Sequence, residues 1–114
     1  MARKVLSVCY EECLPPSTLE FLERAGCEMT CARALGAALQ FFDTIAFDLI
    51  LINQTVSSPQ EHLLVELVRK KSEIPIVFVS GSAVARPGGA NVCLKPPVTP
   101  HELLRVISQL VDGT

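Results

Sequence analysis

Four positions along the chain carry side chains that could bind or transfer a small anionic group. Cys9 closes the apolar run KVLSVC, Asn53 closes DLILIN, Ser80 closes IPIVFVS, and Lys95 follows the short segment NVCL. A serine hydroxyl and a lysine ammonium both donate hydrogen bonds to anionic oxygens. A carboxamide is a poor acid, base and nucleophile, so Asn53 does not suit covalent catalysis.

The elements that position these residues alternate between strands and helices along the chain. Strands are predicted over residues 4–9, 28–32, 48–53, 74–80 and 91–94. The predicted helices begin at capping residues, Ser17, Ser58 and Thr99, each followed three residues later by a glutamate, and a further helix covers residues 34–44. Gly26 is expected to end the first helix.

This alternation predicts a single α/β domain over residues 1–114, with a parallel sheet covered by helices on both faces. Ligands of such sheets bind beyond the carboxyl ends of the strands. The four residues above, together with Tyr10 and Glu11 after the first strand, are therefore expected at one edge. Pro87 and the pair Gly88-Gly89 disfavour a long helix between Ser80 and the last strand, so the fourth helix is predicted to be shortened or absent.

The composition excludes several classes of protein. Hydrophobic residues make up 49% and charged residues 19% of the 114 residues, and the formal net charge is −2, which favours a globular domain and no direct binding to nucleic acid. No apolar segment is long enough for a signal peptide or a membrane span, so we expect a cytoplasmic protein. In that reducing compartment the five cysteines are expected to be small core residues without bound metal.

Three segments give the chain a specific resemblance to a known family. In order they are FDLILIN at the third strand, IPIVFVSG at the fourth, and GANVCLKPP around Lys95. The chain resembles the receiver domain of bacterial two-component response regulators from about residue 4 to residue 111. The resemblance implies a flavodoxin-like, CheY-like fold, a doubly wound sheet of five parallel strands in the order 2-1-3-4-5.

The resemblance also assigns roles to the residues at the carboxyl edge. In receivers the third strand ends in an aspartate that accepts a phosphoryl group, and Asn53 stands at that position. Acidic residues after the first strand hold Mg²⁺ in receivers, and Cys9 and Tyr10, followed by Glu11, replace them here. Ser80 and Lys95 match the hydroxyl and the lysine that contact the phosphoryl group. The site is therefore expected to be a remnant without covalent phosphorylation, and Mg²⁺ binding is expected to be weak or lost.

The resulting prediction is a non-phosphorylatable receiver that binds proteins in a phosphorelay and is not an enzyme. Its partners would be a histidine kinase, an output domain, another receiver or a second copy of the chain. The alternative is a small-ligand or nucleotide-binding sensor domain on the same fold. A flavodoxin-like phosphate site needs a Ser/Thr/Gly-rich loop after the first strand, and the acidic sequence YEECLPP does not suit it.

Overall fold

The computed structural model describes residues 3–9, 14–53, 58–79, 91–95 and 98–113. Within these ranges five strands alternate with four helices, except that β5 follows β4 with residues 80–90 between them. In chain order the elements are β1 (Arg3–Val8), α1 (Pro16–Arg24), β2 (Cys27–Ala32), α2 (Leu35–Thr44), β3 (Leu49–Asn53), α3 (Ser58–Lys71), β4 (Ile76–Val79), β5 (Val92–Leu94) and α4 (Pro100–Asp112).

All five strands are parallel and lie in the order β2-β1-β3-β4-β5, as predicted. The third strand is central, which explains why its residues are hidden on both faces. Leu49, Ile50, Leu51 and Ile52 have no exposed surface. Half-exposed strands alternate between polar and apolar residues, whereas strands covered on both faces do not. DLILIN is accordingly a nearly continuous apolar run.

The two faces of the sheet form separate hydrophobic cores. Alternate residues of each strand point to opposite faces, so Ile50 and Ile52 pack on one side and Leu49 and Leu51 on the other. The first core lies under α2 and α3, and the second lies under α1 and α4. A ring contact between Phe21 of α1 and His101 of α4, with centroids 4.7 Å apart, joins the two helices that cover the second core.

Two of the three predicted capping residues can be compared with the structure. Thr99 caps α4 as expected, because its Oγ1 accepts a hydrogen bond of 3.1 Å from the backbone amide of Glu102. The predicted cap at Ser17 is wrong: α1 begins at Pro16, its N-cap is Pro15, and no side chain caps it. Proline favours the first helical position, and Pro16 therefore starts the helix before Ser17. The capping side chains predicted for the helix that begins at Ser58 lie outside the described side chains.

The end of α1 agrees with the sequence. Gly26 has φ +97°, a backbone conformation that residues with a side chain rarely adopt, and the strand β2 begins at the next residue. The segment predicted to have a shortened or absent fourth helix, residues 81–90, lies outside the described residues.

Arg69, in the last turn of α3, connects that helix to two strands. Its guanidinium donates to the carbonyl oxygen of Ile74 at 2.8 Å and to Oδ1 of Asn91 at 2.9 Å. The same Asn91 oxygen accepts a hydrogen bond of 2.9 Å from the backbone amide of Ile76. These contacts hold the beginning of β5 beside the beginning of β4, and so they help to set where Lys95 emerges at the other end.

Candidate functional site

The strand register places Cys9, Asn53 and Lys95 along one edge of the sheet. Val8 pairs with Ile52, so Cys9 and Asn53 follow at the same level on neighbouring strands. Lys95 comes directly after Leu94, the last residue of β5. Cys9 is fully buried, Asn53 is partly exposed and Lys95 is exposed. Exposure therefore increases along this edge from Cys9 after β1, through Asn53 on the central strand, to Lys95 after the edge strand β5.

Asn53 is the last residue of the central strand and pairs with Val79 of β4. By the alternation of side chains along β3, it lies on the same face as Leu49 and Leu51, which is the face covered by α1 and α4. The side chain of Asn53 therefore lies at the edge of the second core. A carboxamide there can donate and accept hydrogen bonds, but it carries no charge at any ordinary pH.

Cys9 differs from its predicted state because its sulfur is in a disulfide bond. The prediction that Cys9 is buried is confirmed, whereas the prediction of a reduced thiol is wrong. Its backbone amide donates a hydrogen bond of 2.9 Å to the carbonyl oxygen of Ala32, which fixes the residue to the end of β2.

The other described cysteines are free and have different surroundings. Cys27 is buried as predicted, whereas Cys31 and Cys93 are exposed, so the expectation of core positions is wrong for these two. Both lie on edge strands, β2 and β5, which have a neighbouring strand on one side only within the described sheet. Apolar neighbours in the sequence did not indicate whether a cysteine lies on an edge strand or on a central strand.

Three predicted site residues, Tyr10, Glu11 and Ser80, lie outside the described residues. The site that the structure describes consists of Cys9, Asn53 and Lys95.

The described part of this edge does not fit a magnesium ion. Mg²⁺ requires hard oxygen ligands and is usually held by one or two carboxylates with phosphate and water. Cys9 offers a disulfide sulfur, Asn53 a neutral amide oxygen and Lys95 a cation. Among the described residues, moreover, no group of three or more histidine, cysteine, aspartate or glutamate side chains could hold a metal ion.

A cavity of about 320 Å³ opens at the other end of the molecule. It is lined by Glu23 at the end of α1 and by Cys27, Glu28 and Met29 at the beginning of β2. Two carboxylates in the lining would repel a phosphate group. This cavity therefore adds no support for a nucleotide site.

Comparison with solved structures identifies the fold. No family model matches the sequence, and no curated protein matches it. A CheY-like response regulator receiver domain from Methanospirillum hungatei superposes with a TM-score of 0.85 at 23% identity, covering 99% of this chain and 96% of that one. The signal receiver domain of an HD domain-containing protein from Pseudomonas fluorescens also gives 0.85, at 16% identity, covering 99% and 97%.

The chemotaxis response regulator CheY4 of Vibrio cholerae gives a TM-score of 0.78 at 23% identity and covers 96% of this chain and 99% of that one. These likenesses extend over nearly the whole length of both partners, and they include the strand order. Within the described parts of the chain, no helix is long and apolar enough to cross a membrane. The chain has the CheY-like fold of response regulator receiver domains.

Proposed function

We propose that this chain is a receiver-like module of two-component signalling that binds protein partners and is not switched by aspartyl phosphate. The observation that carries the proposal is the carboxamide of Asn53 at the carboxyl end of the central strand. Phosphoryl transfer to a side chain requires a nucleophilic oxygen anion. Asn53 has none, and its neighbour Cys9 brings no carboxylate to the site.

The charge at this edge supports the same proposal. Phosphoryl transfer depends on positioning and on neutralisation of charge, which metal ions usually supply. Lys95 is exposed to solvent, where the field of its charge is weak. A donor phosphate would therefore meet neither a nucleophile nor a bound metal at the described positions.

The module would be cytoplasmic and non-enzymatic, and its partners would be proteins. A histidine kinase, an output domain, another receiver or a second copy of the chain would each recognise the folded surface. Since no phosphate can be added at position 53, phosphorylation would not change the conformation of this surface. Partner binding should consequently be the same with and without acyl-phosphate donors.

The test is incubation of the protein with acetyl phosphate and Mg²⁺, followed by intact-mass measurement. We expect no added phosphoryl group, whereas a receiver domain with an aspartate at the equivalent position, treated in parallel, should be labelled. The variant Asn53→Gln should behave as the wild type. A stable phosphoryl adduct mapped to Asn53, Ser80 or Glu11 would overturn the proposal.

A further inference from the structure

The strand β2 forms an outer edge of the described sheet, where β1 is its neighbour on one side only. Edge strands present unpaired amide and carbonyl groups, and natural proteins usually protect them with charges, proline, bulges or a short length. β2 has six residues, CEMTCA, with one charged side chain and no proline, and it pairs with β1 in an unbroken register. The opposite edge strand, β5, has three residues. Of the two edges of the described sheet, β2 is therefore better suited to accept another strand.

The hydrogen bonds between β1 and β2 show which residues of β2 face this open edge. The amide of Arg3 donates to the carbonyl oxygen of Gly26, and the amide of Cys9 donates to that of Ala32, both at 2.9 Å. In a parallel pair, alternate residues of a strand bond to the same neighbour. The even-numbered residues of β2 therefore bond to β1. The odd-numbered residues, among them Met29, direct their amide and carbonyl groups away from β1 and towards the edge.

Charged side chains of opposite sign stand at the two ends of this edge. Glu23 and Glu28 line the cavity of about 320 Å³ beside Cys27 and Met29, at the beginning of β2. Within the described residues neither glutamate takes part in an ion pair. Arg33 is exposed and directly follows the last residue of β2. The edge is thus negative at its beginning and positive at its end, so it is complementary to a second copy of itself that runs in the opposite direction.

We propose that a second copy of this chain binds at this edge, with the two β2 strands antiparallel and a two-fold axis perpendicular to the sheet at Thr30. This symmetry pairs odd-numbered residues with odd-numbered residues, so the groups that face the edge bond to one another. Met29 then lies opposite Cys31 of the second copy, and Cys27 lies opposite Arg33 of the second copy. The two sheets become one continuous sheet.

Charge and shape set this register. Centring the pair on Thr30 brings Arg33 of the second copy to the cavity beside Cys27, where Glu23 also lies. The carbon stem of an arginine packs on apolar groups such as Met29, while its guanidinium pairs with a carboxylate. The two-fold axis forms this contact twice. Two threonines directly opposite each other on antiparallel strands also attract each other.

The inference goes beyond the proposed function, because it concerns the edge formed by β2 and not the residues around Asn53. Failure to form a dimer would leave the response to acetyl phosphate unchanged. Labelling at position 53 would likewise leave the pairing of β2 untouched, so the two proposals are tested separately.

The experiment is analytical ultracentrifugation of the full chain over a range of concentrations, where we expect an equilibrium between monomer and dimer. Met29→Pro should abolish the dimer, because it removes an amide that faces the edge and leaves the bonds to β1 in place. Arg33→Glu and Glu23→Arg should each weaken dimerisation by about tenfold, since each replaces two attractions with two repulsions. The double variant Glu23→Arg, Arg33→Glu should restore it. Arg105→Glu, an equal charge change at an exposed position of α4, should have no effect.

Cross-linking tests the register. Opposite residues that do not exchange hydrogen bonds have Cα atoms about 4.5 Å apart, which lies within the range that a disulfide spans. Thr30→Cys, in a chain that also carries Cys31→Ser and Cys93→Ser, should therefore form a covalent dimer under mild oxidation. Peptide mapping should find residue 30 of one copy bonded to residue 30 of the other.

Several results would overturn the proposal. A chain that stays monomeric up to roughly millimolar concentration would show that the edge does not bind a second copy. A dimer that Arg105→Glu weakens as much as Arg33→Glu would place the interface elsewhere, and so would a covalent dimer linked at another residue. If circular dichroism shows that Met29→Pro does not fold, the charge-reversal variants decide, because Glu23 and Arg33 are both exposed. A double variant no better than either single variant would then rule out the pairing.

Discussion

Asn53 carries a carboxamide where an aspartate would carry a carboxylate. The residues beside it determine whether an aspartate at this position could bind Mg²⁺ and accept a phosphoryl group. Cys9 directly follows the neighbouring strand and has its sulfur in a disulfide, and Lys95 lies at the exposed margin. A carboxylate introduced at position 53 would therefore stand without a second described carboxylate to share a metal ion. Under the proposed function, phosphorylation is prevented by this group of residues and not by position 53 alone.

The substitution Asn53→Asp alone is accordingly not expected to restore Mg²⁺ binding or labelling by acetyl phosphate. The triple variant Cys9→Asp, Tyr10→Asp, Asn53→Asp should bind Mg²⁺, because it supplies the carboxylates that this ion prefers. Calorimetric titration of the wild type and both variants measures this. Gln40→Glu adds the same charge at an exposed position of α2 and should bind no ion.

Binding of Mg²⁺ at millimolar or lower concentration by Asn53→Asp, together with labelling, would contradict this expectation. The site would then be one residue away from function. Failure of the triple variant to bind would instead show that its carboxylates are not brought together.

At the scale of the elements, the sequence predicted the order and type of every strand and helix that the structure describes. The apolar runs and the spacing of capping residues carried this information. Both patterns involve residues that are close together in the sequence, so they can be recognised without knowledge of the fold. The start of α1 was predicted wrongly because two signals competed. Ser17 followed by Glu20 resembles a capping box, but Pro16 occupies the first helical position and Glu20 pairs with Arg24 at 2.7 Å instead.

The candidate site was less predictable than the elements that carry it. The positions of Cys9, Asn53 and Lys95 followed from the ends of the strands. The oxidation state of Cys9 did not, because a disulfide depends on how two backbones approach each other in space. The exposure of Cys31 and Cys93 depends on which strands form the edges, and that order was implied only by the resemblance to receivers.

The cap of α4 allows a prediction at this scale. Thr99→Ala removes the oxygen that accepts from the Glu102 amide at 3.1 Å, and we expect the free energy of unfolding to fall by about 0.5–2 kcal/mol. Thr99→Ser retains the oxygen and should restore most of the loss. Urea denaturation monitored by circular dichroism measures both. Equal stability of the alanine variant and the wild type would show that the cap contributes nothing.

At the scale of the whole molecule, the first strand is joined to the last helix by an ion pair. Arg3 and Asp112 approach to 2.6 Å, and the side chains keep only 24% and 37% of their exposure, less than the 79% and 63% of Arg24 and Glu20. Arg3 also donates to the carbonyl oxygen of Ala25, so the pair connects three elements. It is therefore less screened by water than the local pair within α1.

This pair should make stability depend on pH in a definite direction. The hydrogen bond from Arg3 holds the pKa of Asp112 below its ordinary value of 3.8. A lowered carboxyl pKa contributes stability that is fully present above the unfolded value and is lost as the pH falls through the folded value. Asp112→Asn should thus be less stable than the wild type at neutral pH, and the difference should disappear in acid below the folded pKa.

Thermal unfolding of wild type and variant from neutral to acidic pH measures this dependence. Glu20→Gln is the control, because it removes an exposed pair within one helix, and it should lower the melting temperature less than Asp112→Asn at neutral pH. A difference between the wild type and Asp112→Asn that persists unchanged into acid would rule out the carboxylate as its source.

The pairing of Arg3 with Asp112 also fixes the direction in which any attached polypeptide would leave the domain. Both residues lie at the amino edge of the sheet, since β1 starts there and α4 returns there from the opposite edge. A tether at either end would therefore depart from the same pole, with the full length of the strands separating it from Asn53 and Lys95. Neither tether would therefore be attached beside Asn53 or Lys95, whichever end carries it.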